Sequence, residues 1–275
     1  LITEEVAKKI AKLGIKNIDI SLHAGNSANF EKFTKTNLFQ STINGIANLV
    51  KVRIIPCIAF TITTVNKDWL TSVIKIAKQL GVNTIHTIVL VQRGRAVNRG
   101  LMVDMNDLKK IYTKAIKVGK KYGVSLFLEC PFNLHEKIKY HCNGCIEMDK
   151  GCFGGRYLAC VQCNGDVTSC ALFPEYIVGN IRNKKFIDIW NSPNMPVLSM
   201  NKYRLSNICK KCDKLNDCFG GCPTSNYSSK GYKPDTFCFK LNEKHPSLLH
   251  IPGKKNERNF FYYFLKTQIY LERQD

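Results

Sequence analysis

Residues 209–222 read CKKCDKLNDCFGGC, with Cys209, Cys212, Cys218 and Cys222 separated by two, five and three residues. Thiols packed this closely need a common occupant, and a disulfide knot, a zinc ion and an iron–sulfur cluster are the candidates. The Cys-x2-Cys pair lets two sulfurs of one turn point at one centre, and soft thiolates suit zinc or iron–sulfur. The chain carries 13 cysteines, an odd number, in 275 residues. No basic-then-apolar leader with a small-residue cleavage site opens it, and no run approaches the ~18 apolar residues of a membrane span. A cytoplasmic protein with reduced thiols is therefore expected, in which clustered cysteines bind metal rather than form disulfides. One closed zinc site needs four ligands. Cys142, Cys145, Cys152, Cys160, Cys163, Cys170 and Cys238 exceed that supply, which puts iron–sulfur slightly ahead on spacing alone.

Formal charge is +20 at pH 7, a value that would ordinarily suggest an anionic partner. The lysines are spread over helical faces and form no dense arm or aromatic-interleaved stripe, so they read as solvated surface. A nucleic acid is not expected as a partner. Clusters held by four thiolates are themselves anionic and would offset part of this charge.

Upstream of the cysteines, residues 1–129 alternate helix and strand signals. Thr3 caps a helix with Glu4 and Glu5 in its first turn, an apolar stripe of Val6, Ile10 and Leu13, and a stop at Gly14. IKNIDISL (15–22) reads as a strand, and TINGIANLVK (42–51) as a helix. VRIIPCIAFTITT (52–64) is β-branched, with Pro56 making its centre irregular. Asp68 is placed to cap the next helix, which carries Leu70, Val73, Ile74, Ala77 and Leu80. TIHTIVLV (84–91) is a buried strand. A helix near 105–122 buries Leu108, Ile111, Ala115 and Val118, and VSLFLE (124–129) closes the series. Strands alternating with helices of this length predict βαβ units and a parallel sheet. Three principal strands make a thin sheet whose edges need covering. The chain starts at Leu1, directly in a helix, which leads to the expectation that the N-terminal part of this domain is missing from the sequence.

From residue 130 the texture changes to cysteines, turns and short strands, and 12 of the 13 thiols fall between Cys130 and Cys238. RYLACVQCNGDVTSC carries Asn164-Gly165, the strongest short hairpin signal. The division expected is 1–129 as a truncated partial barrel, 130–242 as a cluster domain, and 243–275 as a tail. In that tail NERNFFYYFLKTQIYLERQ (257–274) predicts a helix with an aromatic face docked on the protein's own surface.

The cysteine pattern resembles the SPASM domain, the cysteine-rich extension of many radical S-adenosylmethionine enzymes. Cys152, twelve residues, Gly165, DVTS and Cys170 match its first half. Cys209, Cys212, Cys218 and Cys222 match its second half, and Cys238 is its last cysteine. The resemblance implies two auxiliary 4Fe-4S clusters with interleaved ligands. Cys209, Cys212, Cys218 and Cys238 would hold the second cluster. Cys152, Cys170 and Cys222 would hold the first, with Cys145 as the fourth ligand and Cys142 in reserve. Cys160 and Cys163 stand where the family has apolar residues and read as buried structural thiols or as extra ligands, and Cys57 in its strand reads as core. Cys130 receives no assignment.

The front half supports the same family. IDISLHA (18–24) resembles its fourth barrel strand, where a serine contacts S-adenosylmethionine. Ser21 takes that place, although His23 and Ala24 depart from the usual Asp-Gly. LVQRGRA (90–96) resembles the end of the sixth strand, where Arg93 or Arg95 would meet a carboxylate or phosphate of the cofactor. His86 and the other histidines read as packed or surface residues. The implied fold is the C-terminal portion of a partial (β/α)6 TIM-like barrel followed by the SPASM domain.

The Cys-x3-Cys-x2-Cys motif that defines the family is absent, as is the second-strand Gly-Gly-Glu, and the resemblance runs from the family's third helix to about Cys238. No catalytic residue is assigned, and the chain alone should be inactive. The complete protein would be an oxidoreductase or maturase. It would use a 5′-deoxyadenosyl radical on a peptide, protein or cofactor precursor, with a third 4Fe-4S cluster and a reductant such as ferredoxin or flavodoxin. Ala171 after Cys170, where sulfatase-maturing members have Asp, speaks against that subclass. Two other classes remain open, a non-catalytic iron–sulfur electron-transfer or peptide-binding protein and a zinc-binding interaction module.

Overall fold

The structure is a computed structural model that describes residues 2–128, 152, 154–195, 205–228 and 231–238. They fall into two compact units: residues 2–90 with 99–128, and residues 91–98 with the described residues from 152 onward.

The first unit is a parallel sheet of four strands in the order β1 (Asp19–Ser21), β2 (Cys57–Ile62), β3 (Thr84–Val89) and β4 (Ser125–Leu128). Five helices alternate with them: α1 (Glu4–Lys12), α2 (Ser27–Thr34), α3 (Phe39–Lys51), α4 (Leu70–Gln79) and α5 (Met105–Tyr122). Side chains alternate across a sheet, so one register row goes to one face. Ile20, Ile58, Ile85 and Leu126 form one such row, and the last three are 0–1% exposed. Phe60, Ile62, Val89 and Leu128 continue that buried face. The neighbouring row is Ser21, Ala59, His86 and Phe127, and of these only Ala59 is buried. Helices therefore cover one face, with α4 against β3 and α5 against β4, while the other carries the polar residues.

The helix ends follow local chemistry. Thr3 Oγ1 accepts the Val6 amide at 3.3 Å, and Gly14 leaves the helix at φ +73. Asp104 Oδ1 accepts the Asp107 amide at 2.8 Å, and Gly123 ends α5 at φ +66. Three expectations need correction. The α1 stripe is out of phase: Val6 and Leu13 are 38% and 75% exposed, and Ala7 makes the buried contact with Leu49 and Ile54. Asp68 does not cap α4, whose N-cap is Trp69 without a side-chain bond. The turn before it is organised by buried Asn66, whose Oδ1 accepts from Thr63 N and Oγ1 while its Nδ2 donates to Thr61 O. In α5 the fully buried positions include Tyr112 and Gly119, with Ile111 and Val118 only half-buried.

β1 is also shorter than residues 15–22. The Ile15 amide still bonds to Ile10 O at 3.3 Å, so the chain is leaving α1 there and pairing starts at Asp19. β2 starts after Pro56, once Arg53 at φ +64 has turned the chain out of α3.

In the second unit β5 (Cys160–Val161), β6 (Asp166–Thr168) and β7 (Ile177–Asn180) form an antiparallel sheet. The Asn-Gly hairpin is present. Gly165 sits at φ +89, its amide reaches Gln162 O at 2.9 Å, and Asn164 Oδ1 accepts the Asp166 amide. Val167, Ile189, Trp190 and Met195 make a small core, with α6 (Phe186–Trp190) supplying two of them. Short helices α7 (Asn207–Lys210), α8 (Leu215–Cys218) and α9 (Pro223–Asn226) carry the cysteine segment, and β8 (Tyr227–Ser228) pairs with β9 (Gly231–Tyr232). The expected tail helix at 257–274 lies outside the described residues. Among the described residues no helix is long and apolar enough to cross a membrane.

Phe60 is completely buried in the second strand of the sheet. Phe60→Ala is expected to destabilise the first unit by about 3–5 kcal/mol through lost contacts and a cavity, read as a lower urea midpoint for that unit.

Candidate metal centre

In the second unit a small cavity is lined by Cys152, Gly154, Ser169, Cys170, Phe173, Pro223 and Thr224. Cys170 reaches it because β6 ends at Thr168 and the chain turns there, with Thr168 Oγ1 bonded to Cys170 O at 3.0 Å. Two backbone amides point at the sulfurs. Gly154 N–H lies 3.4 Å from Cys152 Sγ, and Leu172 N–H lies 3.4 Å from Cys170 Sγ. Such donors favour the thiolate. A Cβ at Gly154 would stand 3.0 Å from Ser169 O and 3.6 Å from Cys152 Sγ, so glycine keeps this cradle open. Ser169 is 0% exposed, and its Oγ has no hydrogen-bond partner among the described residues. A buried hydroxyl is ordinarily hydrogen-bonded, so its partner lies outside the described residues or in a bound group.

Cys222 joins this region through Thr224, which lines the cavity and whose Oγ1 lies 2.8 Å from Cys222 Sγ. Gly220 and Gly221, at φ +89 and +83, bring the chain to Cys222 along a path closed to residues with a Cβ. The Cys222 amide donates to Asp235 Oδ2 at 2.6 Å. Burial pushes the Cys222 thiol up, and Asp235 adds to this against the opposing hydrogen bonds from Thr224 and Ser225.

A second neighbourhood gathers Cys209, Cys212 and Cys218. Cys209 sits on α7, whose N-cap Ser206 accepts the Cys209 amide at 3.2 Å, and the Cys212 amide returns to Cys209 O at 3.0 Å. The Cys209 thiol is pushed up, chiefly by burial and then by the charges of Cys218, Cys212 and Asp235, while the Ser206 hydrogen bond lowers it. Cys238 closes a short turn in which its amide donates to Asp235 O at 2.9 Å. Buried thiols held up in this way ionise when a cation compensates them, which is the coupling a metal centre exploits. Among the described residues no three Cys, His, Asp or Glu side chains close around a common metal position. Cys152 and Cys170 line the cavity beside the Cys222–Thr224 pair, Cys209 feels Cys212 and Cys218, and Asp235 acts on both Cys222 and Cys209; soft thiols of this kind suit an iron–sulfur group. Cys145, Cys142 and Cys130 lie outside the described residues. Cys160 is half-buried, pushed up by burial and hydrogen-bonded to Thr168, whereas Cys163 is exposed at the turn.

The other assigned residues lie in different settings. Ser21 is exposed at the C-terminal end of β1, the end where α/β sheets bind ligands. His23 behind it accepts the Thr61 amide on Nδ1 at 3.2 Å and packs against Phe33 with ring centroids 4.9 Å apart. His86 packs edge-on to Phe127 at 4.8 Å. Arg93 belongs to the second unit. Its guanidinium pairs with Glu175 at 3.0 Å, reaches Thr224 O at 3.4 Å and lies 5.3 Å from the Phe173 ring centroid. Arg95 is exposed in the turn Gly94–Ala96. Sequence reading missed Ser169, Thr224 and Asp235. Only Asp235 had a signal, its place three residues before the last cysteine of the pattern.

The profile of the SPASM iron–sulfur cluster-binding domain matches residues 152–213. The AdoMet-dependent heme synthase of Methanosarcina barkeri is 26% identical over 267 residues, which is 93% of this chain and 73% of the relative. Among solved structures, native anSMEcpe with bound AdoMet aligns with a TM-score of 0.62 at 16% identity, over 88% of this chain and 68% of that one. Streptococcus suis SuiB bound to the precursor peptide SuiA aligns with a TM-score of 0.63 at 16% identity, over 87% of this chain and 57% of that one. The chain thus has the parallel α/β fold of radical S-adenosylmethionine enzymes and carries a SPASM domain, and it spans part of the length of these proteins.

Thiol reactivity separates structural from exposed cysteines. Cys57 in β2 is pushed up to about 12, first by burial and then by the Asp19 charge, against a hydrogen bond from the His86 backbone. In the metal-free chain at pH 8, iodoacetamide is expected to label exposed Cys163 within minutes and to leave Cys57 largely unlabelled, as read by peptide mass spectrometry.

Proposed function

We propose that this chain is the C-terminal portion of a radical S-adenosylmethionine/SPASM enzyme, with two auxiliary iron–sulfur clusters held by the second unit. The observation that carries this reading is the cavity bearing Cys152 and Cys170 beside the Cys222–Thr224 pair, where the buried Ser169 hydroxyl has no partner among the described residues. Cys152, Cys170 and Cys222 would hold the first cluster, with Cys145 as fourth ligand. Cys209, Cys212, Cys218 and Cys238 would hold the second. Clusters of this type supply one-electron transfer when bound, or an anchor for substrate.

The chain's own residues have narrower tasks. The Gly154 and Leu172 amides stabilise the thiolates of Cys152 and Cys170, and Thr224 orients the Cys222 sulfur. Ser21 would contact S-adenosylmethionine from the end of β1. Arg93, already engaged by Glu175 and Thr224, is better placed to hold the Cys222 loop than to meet a cofactor carboxylate. Arg95 remains available for an anion. In the complete protein, S-adenosylmethionine would supply a 5′-deoxyadenosyl radical after reduction by a ferredoxin or flavodoxin in the cytoplasm. The substrate class is a peptide, protein or tetrapyrrole. The heme synthase relative and the peptide bound to SuiB support that range.

Anaerobic reconstitution of the chain with iron and sulfide tests this. The expected result is a brown protein with iron and labile sulfide in equal amounts, whose iron content falls by about half in Cys152→Ala and again in Cys209→Ala. A colourless protein that retains zinc after the same treatment would establish the zinc-binding module instead.

A further inference from the structure

The carboxylate of Asp235 is 2% exposed, yet it is neither a ligand in the cysteine pattern nor part of an ion pair among the described residues. Its acceptors are used by two segments of chain. Oδ2 takes the Cys222 amide at 2.6 Å, Oδ1 takes the Phe237 amide at 2.8 Å, and the Ser225 hydroxyl is within reach as well. The residue's own carbonyl takes the Cys238 amide at 2.9 Å. Gly221 packs so closely that a Cβ there would overlap Asp235 Oδ2 and Cβ.

We propose that Asp235 is a positioning residue that ties the Cys222 and Cys238 ligand loops to one side chain, so that the two cluster cradles assemble as a unit. The proposal rests on the twin-cluster reading of the second unit. Cys222 is assigned to the first cluster and Cys238 to the second, so a single buried group governs one ligand of each. A carboxylate suits this task because its two oxygens accept two amides at once, whereas the amide of Asn offers one acceptor and turns an N–H₂ toward the other donor. The Gly221 contact fixes the register. A larger residue at 221 would drive the carboxylate from both amides. Thr224 completes the linkage from the other side, with its hydroxyl on the Cys222 sulfur and its carbonyl on Arg93.

The test uses the full chain, reconstituted anaerobically, in the forms wild type, Cys222→Ala, Cys238→Ala, Asp235→Asn and Gly221→Ala. Electron paramagnetic resonance of the reduced proteins identifies the signal lost with Cys222 and the signal lost with Cys238. Asp235→Asn is expected to alter both signals and to lose iron to a chelator about 10- to 100-fold more readily than wild type. Gly221→Ala is expected to reproduce this. In the metal-free chain, amide exchange is expected to rise together at Cys222 and at Phe237 in Asp235→Asn, a readout that needs no cluster and no activity. A variant that changes only the Cys222-dependent signal, or neither, overturns the proposal. Iron uptake failing in the wild type while exchange still rises at both amides would remove the twin-cluster reading and leave the Asp235 tie in place.

Discussion

Burial pushes the thiols of Cys209 and Cys222 up, and in each case desolvation is the largest cause. A sulfur in that setting is harder to ionise than in water, and a cation sharing its site offsets that cost. Among the described residues of the second unit, Val167, Ile189, Trp190 and Met195 form a small core, with Phe173 and Phe237 also buried. Much of its remaining order is local: amide-to-sulfur contacts, short one-turn helices, and Asx-type turns at Asn164 and Asp235. Helices of four residues are too short to be stable by themselves. A bound metal group would therefore provide folding free energy as well as chemistry, as it does in small metal domains.

The first unit obeys a different constraint. Its parallel strands bury Ile58, Phe60, Ile62, Ile85 and Leu126 under helices and turn Ser21, His86 and Phe127 to the opposite face. The helix-covered face is wholly apolar in this row, whereas the opposite row mixes Ser21 and His86 with Ala59 and Phe127. β1 has three residues, and its Asp19 and Ser21 are exposed.

Much of this was legible in the chain itself. β-branched runs separated by helical stripes read correctly as parallel βαβ units because a parallel sheet needs both. Asn164-Gly165 read correctly as a hairpin because few other dipeptides tolerate its backbone. The phase of α1 was misread because hydrophobicity marks Val6 and Leu13, while the close approach to Leu49 and Ile54 is made by the small Ala7. The cap of α4 was misread because Asp68 has the right chemistry, but buried Asn66 already fixes the turn through three hydrogen bonds. α2 carries no such stripe, and only Phe30 of it is buried.

At the candidate centre the sequence displayed the thiols but not what orients them. Ligand cysteines announce themselves by spacing, since the geometry of a metal site is repeated in the chain. Residues that contact the thiol loops reach them through space as well as along the chain: Asp235 is 13 positions from Cys222, and Arg93 is 131 positions from Thr224. Arg93 shows the same reach through space. A strand-end arginine has the chemistry of an anion site, but its guanidinium is already shared between Glu175, the Thr224 carbonyl and the Phe173 ring. Releasing it for a cofactor carboxylate would forfeit those contacts at the wall of the cavity that holds Cys152 and Cys170.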